Sequence, residues 1–468
     1  MVHCLHFPRK MKKSPFWLLG GVGIYSLISF WIFNKVYSTT QQVVDEEFHI
    51  RQGIHYCNGN FSVWDPKITT FPGLYFVSTV FLLPLKLCQT YYLRLVSLGA
   101  SVLNIYWIYE IRKGIVKDKR WKNWPTWGYV LDAISVSFLP PMYFFAFLYY
   151  TDILSISATL GMVHFSLRRR HKIAAIAGFA AVVMRQTNIV WVGGVFGVNV
   201  LDKLVTKTLK KKAQKDLNYV YGIGDVLKAI GYYLKRLSSL HVSVFPIISQ
   251  FYGYILVMMA FITFLWINGS IVVGDKSAHE ATIHLMQIAY FAAFFAFFAS
   301  GMLLMHLQDI LRSVPKKWYL LLMLSVFFFL TVKYNTVVHP YLLADNRHFT
   351  FYLWNRFLGK PLARYLAIPL YVFGTISLSA VLGNQNAGFK IVYFLCTIVS
   401  VALQSMIEVR YFLMPFLLIR LLYPKPINFS SIAIELTFNS TINIATFYIF
   451  FTKTFYWSDY SEPQRIMW

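Results

Sequence analysis

Long apolar runs recur along this chain from end to end, and no soluble fold can bury that many. Residues 16–33, 290–305 with their flanks, and 318–332 each approach the ~18 residues at which a helix becomes long enough to cross a bilayer. Only 13% of the 468 residues are charged and 57% are hydrophobic, against about 25% charged in soluble chains. The runs are continuous rather than alternating, which excludes a transmembrane barrel. The expected fold class is an all-α polytopic membrane protein.

The net charge of +25 resembles a nucleic-acid signal, but its distribution says otherwise. The basic residues sit in short loops between apolar runs, at 9–13, 112–122, 168–172, 203–215 and 316–317. That is the positive-inside pattern of cytosolic loops, and it implies no nucleic-acid partner. The basic start followed by residues 16–33 reads as an uncleaved signal anchor. The cysteines Cys4, Cys57, Cys88 and Cys396 are scattered, with no metal spacing and no disulfide framework.

Counting crossings from a cytosolic start places residues 38–73 in the lumen. Residues 74–87 are short and interrupted by Pro84 and Lys86, so they read as an interfacial helix. Spans follow at 93–111, 128–145, 154–167, 173–184, 190–200, 244–267, 283–305, 318–332, 366–382, 391–404, 411–422 and 432–451. With the first, that makes about thirteen in a single domain, residues 1–468. The long basic loop 202–240 is expected in the cytosol, and loops 268–282 and 333–364 in the lumen.

This topology collects the unusual polar residues on one side. Residues 45–73 open with Asp45, Glu46 and Glu47, followed by His49, and carry Asp65 further on. Carboxylates at the mouth of a span are costly near lipid unless they meet water or partners, and they repel one another, a setting that suits proton abstraction. A solvated acidic turn explains them equally well. Asp152 follows Tyr149-Tyr150-Thr151 at a turn and precedes a helix, so a helix-capping role competes with a catalytic one. Arg185, Gln186 and Asn188 interrupt two apolar runs, and a luminal Arg suits phosphate better than topology. In Asn268–Thr282 the side chains of Asp275, His279 and Glu280 suit hydroxyl binding, with an ordinary luminal loop the alternative, and His279 and Glu280 are too few and wrongly spaced for zinc. The unbroken polar run Asp345, Asn346, Arg347, His348 lies among aromatics, as a phosphate and sugar site would. Glu408 and Arg410 are two apart, do not face each other on a helix, and are expected to have separate partners.

Together these segments resemble one family closely, the endoplasmic-reticulum α-1,2-glucosyltransferases that add the last glucose to the dolichol-linked N-glycan precursor. The resemblance rests on DEEFH at 45–49, QGIHYCNGNFSVWDPKITTFPGLY at 52–75, FLYYTD at 147–152 and RQTNIVW at 185–191. It continues through NGSIVVGDKSAHEA at 268–281, LLADNRHFTFYLW at 342–354, EVRYFLMP at 408–415 and QRIMW at 464–468. The departures are Val43-Val44, where the family carries Tyr-Met, Glu47 in a usually apolar slot, and Asp152 where Glu also occurs.

The resemblance implies a C-type glycosyltransferase fold with its catalytic acid in the first luminal loop. It implies dolichyl-phosphate glucose as donor, a diglucosylated oligosaccharide on dolichyl pyrophosphate as acceptor, and no soluble nucleotide-sugar domain; no cofactor or metal ligand is assigned. The expected chemistry is one inverting displacement, with Asp45 as general base on the acceptor's 2-hydroxyl. Glu46 binds acceptor hydroxyls or tunes Asp45, and Arg185, Arg347 and His348 support the leaving phosphate. Neither acid is expected to be a core contact. The remaining readings are a lipid or sugar transporter and a non-catalytic membrane subunit that modulates a channel.

Overall fold

The computed structural model describes residues 14–115, 124–209, 219–236, 240–276, 282–313, 315–458, 460 and 462–468. The first half of the chain forms α1 (Ser14–Thr39), α2 (Glu46–Cys57), α3 (Gly73–Leu82), α4 (Thr90–Ile115), α5 (Thr126–Ser137), α6 (Pro140–Phe145), α7 (Thr151–Leu167), α8 (His171–Met184) and α9 (Ile189–Thr208). Next come α10 (Ile223–Leu234), α11 (Leu240–Ile248), α12 (Tyr252–Asn268), α13 (Met286–Phe298), α14 (Ser300–Ser313) and α15 (Trp318–Tyr334). The short helices α16 (Pro340–Ala344), α17 (Phe349–Leu353) and α18 (Pro361–Leu366) precede α19 (Ile368–Leu382), α20 (Ala387–Val401), α21 (Leu413–Leu421) and α22 (Phe429–Thr452). Among the described residues the strands are β1 (Thr454–Phe455) and β2 (Gln464–Arg465), an antiparallel pair.

This is a helical membrane protein. Among the described residues, four uninterrupted helical stretches have the length and composition to cross a bilayer: Phe16–Thr39, Gln186–Thr208, Val244–Asn268 and Pro361–Leu382. A fifth expected span, 283–305, is instead a pair of helices bent by 99° between Phe298 and Ser300. Gly301 allows the second arm to approach α22 closely, since a Cβ there would lie 2.6 Å from the Ser431 carbonyl oxygen. The expected span 128–145 is also interrupted. Pro140 and Pro141 have no N–H to continue the α5 ladder, and the chain restarts as α6. Two carbonyls near that break find donors on α22: Asn439 Nδ2 reaches Ser135 O at 3.3 Å and Asn443 Nδ2 reaches Phe138 O at 2.7 Å. The basic loop 202–240 is partly helical, containing the end of α9 and all of α10.

A cluster of four charges is buried. Arg112, read as part of a cytosolic basic run, is fully buried with Arg420. Asp132 binds both, at 2.8 Å and 2.6 Å, and Glu435 takes the other edge of Arg420 at 2.7 Å. Arg112 also donates to the carbonyls of Leu421, Tyr423 and Lys425. In a low-dielectric interior such charges are tolerated only when each has partners.

The first polar stretch has a small core of its own. Ile50, Tyr56, Cys57 and Ile68 pack with Leu74 and Tyr75 of α3, Leu93 of α4 and Tyr149. Leu74 and Tyr75 are fully buried, and an apolar side chain of that size contributes about 1.5–3 kcal/mol. Gly53 admits Tyr149, whose ring would lie 2.7 Å from any Cβ. Contrary to the scattered-cysteine reading, Cys57 and Cys88 form a disulfide with Cα atoms 5.6 Å apart. It ties the end of α2 to the residues just ahead of α4. Their spacing of 31 residues carries no motif, which is why the sequence did not reveal the pair.

Candidate active site

The turn that carries Asp45 is built by its neighbours. Val44 sits at φ 54, a left-handed conformation that a β-branched residue rarely adopts and that persists only when its surroundings enforce it. The enforcement is visible on both sides. The Val43 N–H donates to Glu46 Oε2 at 3.2 Å. The Val43 carbonyl accepts from Tyr150 Oη at 2.8 Å and from the Glu46 N–H at 3.0 Å.

Glu46 is the anchor of this turn. It is fully buried, and Arg94 grips it with two hydrogen bonds, Nε to Oε1 at 2.8 Å and Nη2 to Oε2 at 2.7 Å. The Tyr149 N–H adds a third at 2.7 Å. Arg94 also donates to the Thr40 and Gln41 carbonyls. The expectation that neither acid would be a core contact therefore fails for Glu46. Asp45 differs: its side chain is exposed, and its backbone carbonyl starts α2 by accepting from Phe48 and His49.

Around Asp45 stand groups from four other segments. Asp152, in the first turn of α7, is 3% exposed. Its carboxylate joins two cations, Arg185 through Oδ1 and Arg410 through Oδ2, the latter at 3.3 Å. Capping by Asp152 is thereby replaced by ion pairing. Arg410 lies over the rings of Phe145 and Tyr150, at 4.9 and 5.4 Å. It also pairs with Glu408, against the expectation of separate partners. Glu408 is extended and Val409–Phe412 forms a tight 3-10 turn, so a two-residue spacing brings the two side chains together. Each guanidinium has five N–H donors, so pairing with Asp152 leaves donors on Arg185 for an anion.

His49 donates to or accepts from Tyr75 Oη at 2.6 Å. Burial pushes its pKa down to about 4, against the opposing pull of the Asp45 and Asp152 charges. Burial also lowers His348, although Asp345 and Asp45 pull it the other way. Both rings are neutral at neutral pH. Burial alone would raise the Asp345 carboxyl, but its hydrogen bonds to Arg347 hold it below the usual range. Burial and the Asp45 charge lift the Tyr150 hydroxyl well above its ordinary value. The charge on Asp45 thus acts on His49, Tyr150, His348, Arg410 and Tyr411 at once.

Other expected site residues hold the scaffold. Arg347 spends its fork on Asp345, at 2.9 and 2.7 Å, and lies 4.3 Å over Trp457. Asn346 accepts from Trp457 at 3.0 Å. Gln186 donates to the Thr69 carbonyl and Asn188 to Ser155 and the Ala181 carbonyl. Asp65 caps the Lys67 N–H at 3.0 Å. Asp275 is exposed, and its N–H reaches the Pro66 carbonyl at 2.7 Å. His279 lies outside the described residues. Arg94, Tyr150 and Tyr75 went unassigned in the sequence. An Arg at the edge of an apolar run was the available signal for the first. Among the described residues, no group of three or more His, Cys, Asp or Glu side chains could hold a metal ion.

Comparison with known proteins adds a second line. Residues 39–421 match the model of the DIE2/ALG10 family. A Drosophila melanogaster protein named Dol-P-Glc:Glc(2)Man(9)GlcNAc(2)-PP-Dol alpha-1,2-glucosyltransferase is 40% identical, covering 95% of this chain and 97% of its own. Proteins of the same name from Rattus norvegicus and Homo sapiens are each 35% identical, covering 95% of this chain and 96% of theirs. The archaeal oligosaccharyltransferase AglB from Archaeoglobus fulgidus, solved in complex with an inhibitory peptide and a dolichol-phosphate, aligns at 14% identity. That alignment covers 92% of this chain and 56% of AglB with a TM-score of 0.33, a likeness too low to bear on the fold.

Proposed function

Because the chain belongs to the DIE2/ALG10 family, we propose that it transfers glucose from dolichyl-phosphate glucose, in α-1,2 linkage, to the diglucosylated oligosaccharide on dolichyl pyrophosphate. The names of its full-length relatives support this reading over a transporter or a channel-modulating subunit. The observation that carries the site is the exposed Asp45 carboxylate, presented by a strained and clamped turn whose charge reaches Arg410, with Arg185 held to Arg410 through their shared partner Asp152.

In the reaction, Asp45 takes the proton of the acceptor's 2-hydroxyl. That oxygen bonds to the anomeric carbon of the donor glucose as the bond from that carbon to the phosphate oxygen breaks. Attack from the opposite face turns a β-linked donor into an α-linked product. Dolichyl phosphate leaves ionised and needs positive potential more than a general acid. Arg185 and Arg410 supply it, and His348 borders it. Glu46 positions the base through Arg94, and Arg347 shapes the His348 loop through Asp345. Asp152 and Glu408 keep the two arginines in place before the donor arrives.

The fold we infer is that of a C-type glycosyltransferase, in which pairs of shorter helices complete about thirteen crossings. Its site faces the lumen of the endoplasmic reticulum, with membrane lipids around it. The Cys57–Cys88 disulfide supports that side, since such bonds persist in oxidising compartments. The test is transfer by the purified full chain from a synthetic dolichyl-phosphate glucose to a diglucosylated acceptor. Glucose should appear in an α-1,2 linkage, and UDP-glucose in place of the lipid donor should give no product. Folded protein that uses UDP-glucose, or neither donor, would sink the proposal.

A further inference from the structure

Residues 464–468 carry a family-like motif to which the site as described assigns no work. We propose that this tail is a positioning element of the transfer site, with Arg465 as its anchor, setting the distance between the Asp45 turn and the Asp345–His348 loop. The proposal rests on the transfer reading above.

One edge of the tail is bonded to the loop. The Met467 N–H donates to the Arg347 carbonyl at 2.7 Å, and the Phe349 N–H donates to the Met467 carbonyl at 2.9 Å. His348 and Met467 form a parallel bridge. The Trp468 carbonyl accepts from His348 Nδ1 at 3.2 Å, which fixes Nδ1 as the protonated nitrogen, while Nε2 faces the Asp345 carboxylate at 3.8 Å. Gln464 accepts from Arg347 at 3.3 Å. Met467 is fully buried.

The other edge is bonded to helix ends. Arg465 is 8% exposed, and its guanidinium donates to three carbonyls. Nη1 reaches Phe450 at 2.8 Å and Phe451 at 3.2 Å, and Nη2 reaches Thr39 at 2.8 Å. Thr39 closes α1, and the Phe450 and Phe451 carbonyls lie in the last turn of α22. Those last-turn carbonyls lack intrahelical donors and favour a cation. Thr39 also leads directly into the Thr40 and Gln41 carbonyls that Arg94 holds. A single short segment therefore spans from the root of the Asp45 turn to the loop that carries His348. A buried cation bonded only to carbonyls is a costly arrangement, and it is used here to join two walls of one site.

The experiment is the glucose-transfer assay with donor and acceptor varied in turn, and kcat expressed per folded, monodisperse molecule. Arg465→Ala should lower kcat about 10- to 100-fold, the size of effect a ~1 Å misplacement produces. The donor KM should rise, because His348 borders the leaving phosphate, while the acceptor KM stays within about twofold. Arg465→Lys keeps the charge but not the fork, and should recover part of the loss. Met467→Pro keeps Arg465 and removes the N–H given to Arg347, and should shift the same two constants. Normal kinetics in both Arg465→Ala and Met467→Pro would overturn the proposal. So would a loss confined to the yield of folded protein with kcat per folded molecule unchanged. If the unmodified chain made no product, the transfer reading would fail instead.

Discussion

Asp45, Glu46 and Glu47 are adjacent in sequence, yet each meets a different environment. Successive side chains entering a helix diverge by roughly 100°, so one faces the site, one the interior and one the surface. Asp45 is exposed, Glu46 is sealed against Arg94, and Glu47 pairs with Arg51 one turn on at 3.2 Å. Substitution should separate the first two. Asp45→Asn keeps shape but cannot accept the proton, so turnover should fall about 10²- to 10⁴-fold. Its melting temperature should match the parent, because no packed contact is lost. Glu46→Gln should instead melt early, because it leaves the Arg94 charge buried and half-paired, a defect of about 3–5 kcal/mol. Thermal unfolding in detergent checks both, and a Glu46→Gln protein as stable as the parent would refute the clamp. His49 gives a pH dependence. Its folded pKa of about 4 lies below the ordinary value of 6.5, so between those limits the unfolded chain binds the proton and the folded chain does not. Stability should fall as pH drops from about 6.5 towards 4, and His49→Gln should flatten that part of the curve. The sequence singled out the acid cluster. It did not show which acid faced inward, because Arg94 is 48 residues away and sits at the head of an apolar helix.

At the scale of elements, the break inside 128–145 carried a covalent signal that the single-span reading passed over, and the breaks made by packing carried a weaker one. Pro140-Pro141 announces the end of α5 in the sequence. No proline marks the bend at Ala299, which joins the apolar α13 to the amphipathic α14. Glu408 and Arg410 were misread for a related reason: helical geometry was assumed for a segment that is extended and then 3-10. The least legible element-level feature is the disulfide, which closes a 31-residue span containing all of α3. By loop-closure entropy a span of that length contributes about 3–4 kcal/mol. Cys57→Ser and Cys88→Ser should each lower the melting temperature by a similar amount, and the double substitution should add little to either. A clearly additive double variant would mean that the cysteines act separately.

On the scale of the whole molecule, the proposed orientation draws on two unrelated features, the basic loops and the disulfide. Cations concentrate in loops assigned to the cytosol, while the disulfide holds the far end of α2, the helix that Asp45 opens. Apolar run lengths gave a helical membrane protein directly. They did not give the pairing of short helices, because a bend needs no change of composition. The side of the membrane can be tested through a contact between two loops. The Val273 N–H donates to the Thr69 carbonyl at 3.2 Å and the Asp275 N–H to the Pro66 carbonyl at 2.7 Å. Gly274, at φ 71, is closer to Pro66 and Ile68 than any side chain would allow. The segment from Asn268 to Lys276 therefore shares a side with the Asp45 turn. A glycosylation-acceptor tag placed in that segment should be modified in cells, and the same tag in the basic loop between α9 and α10 should not. Glycosidase sensitivity reads out both. The reverse pattern would put Asp45 in the cytosol, where the lipid-linked sugars of the proposed reaction are not presented to it.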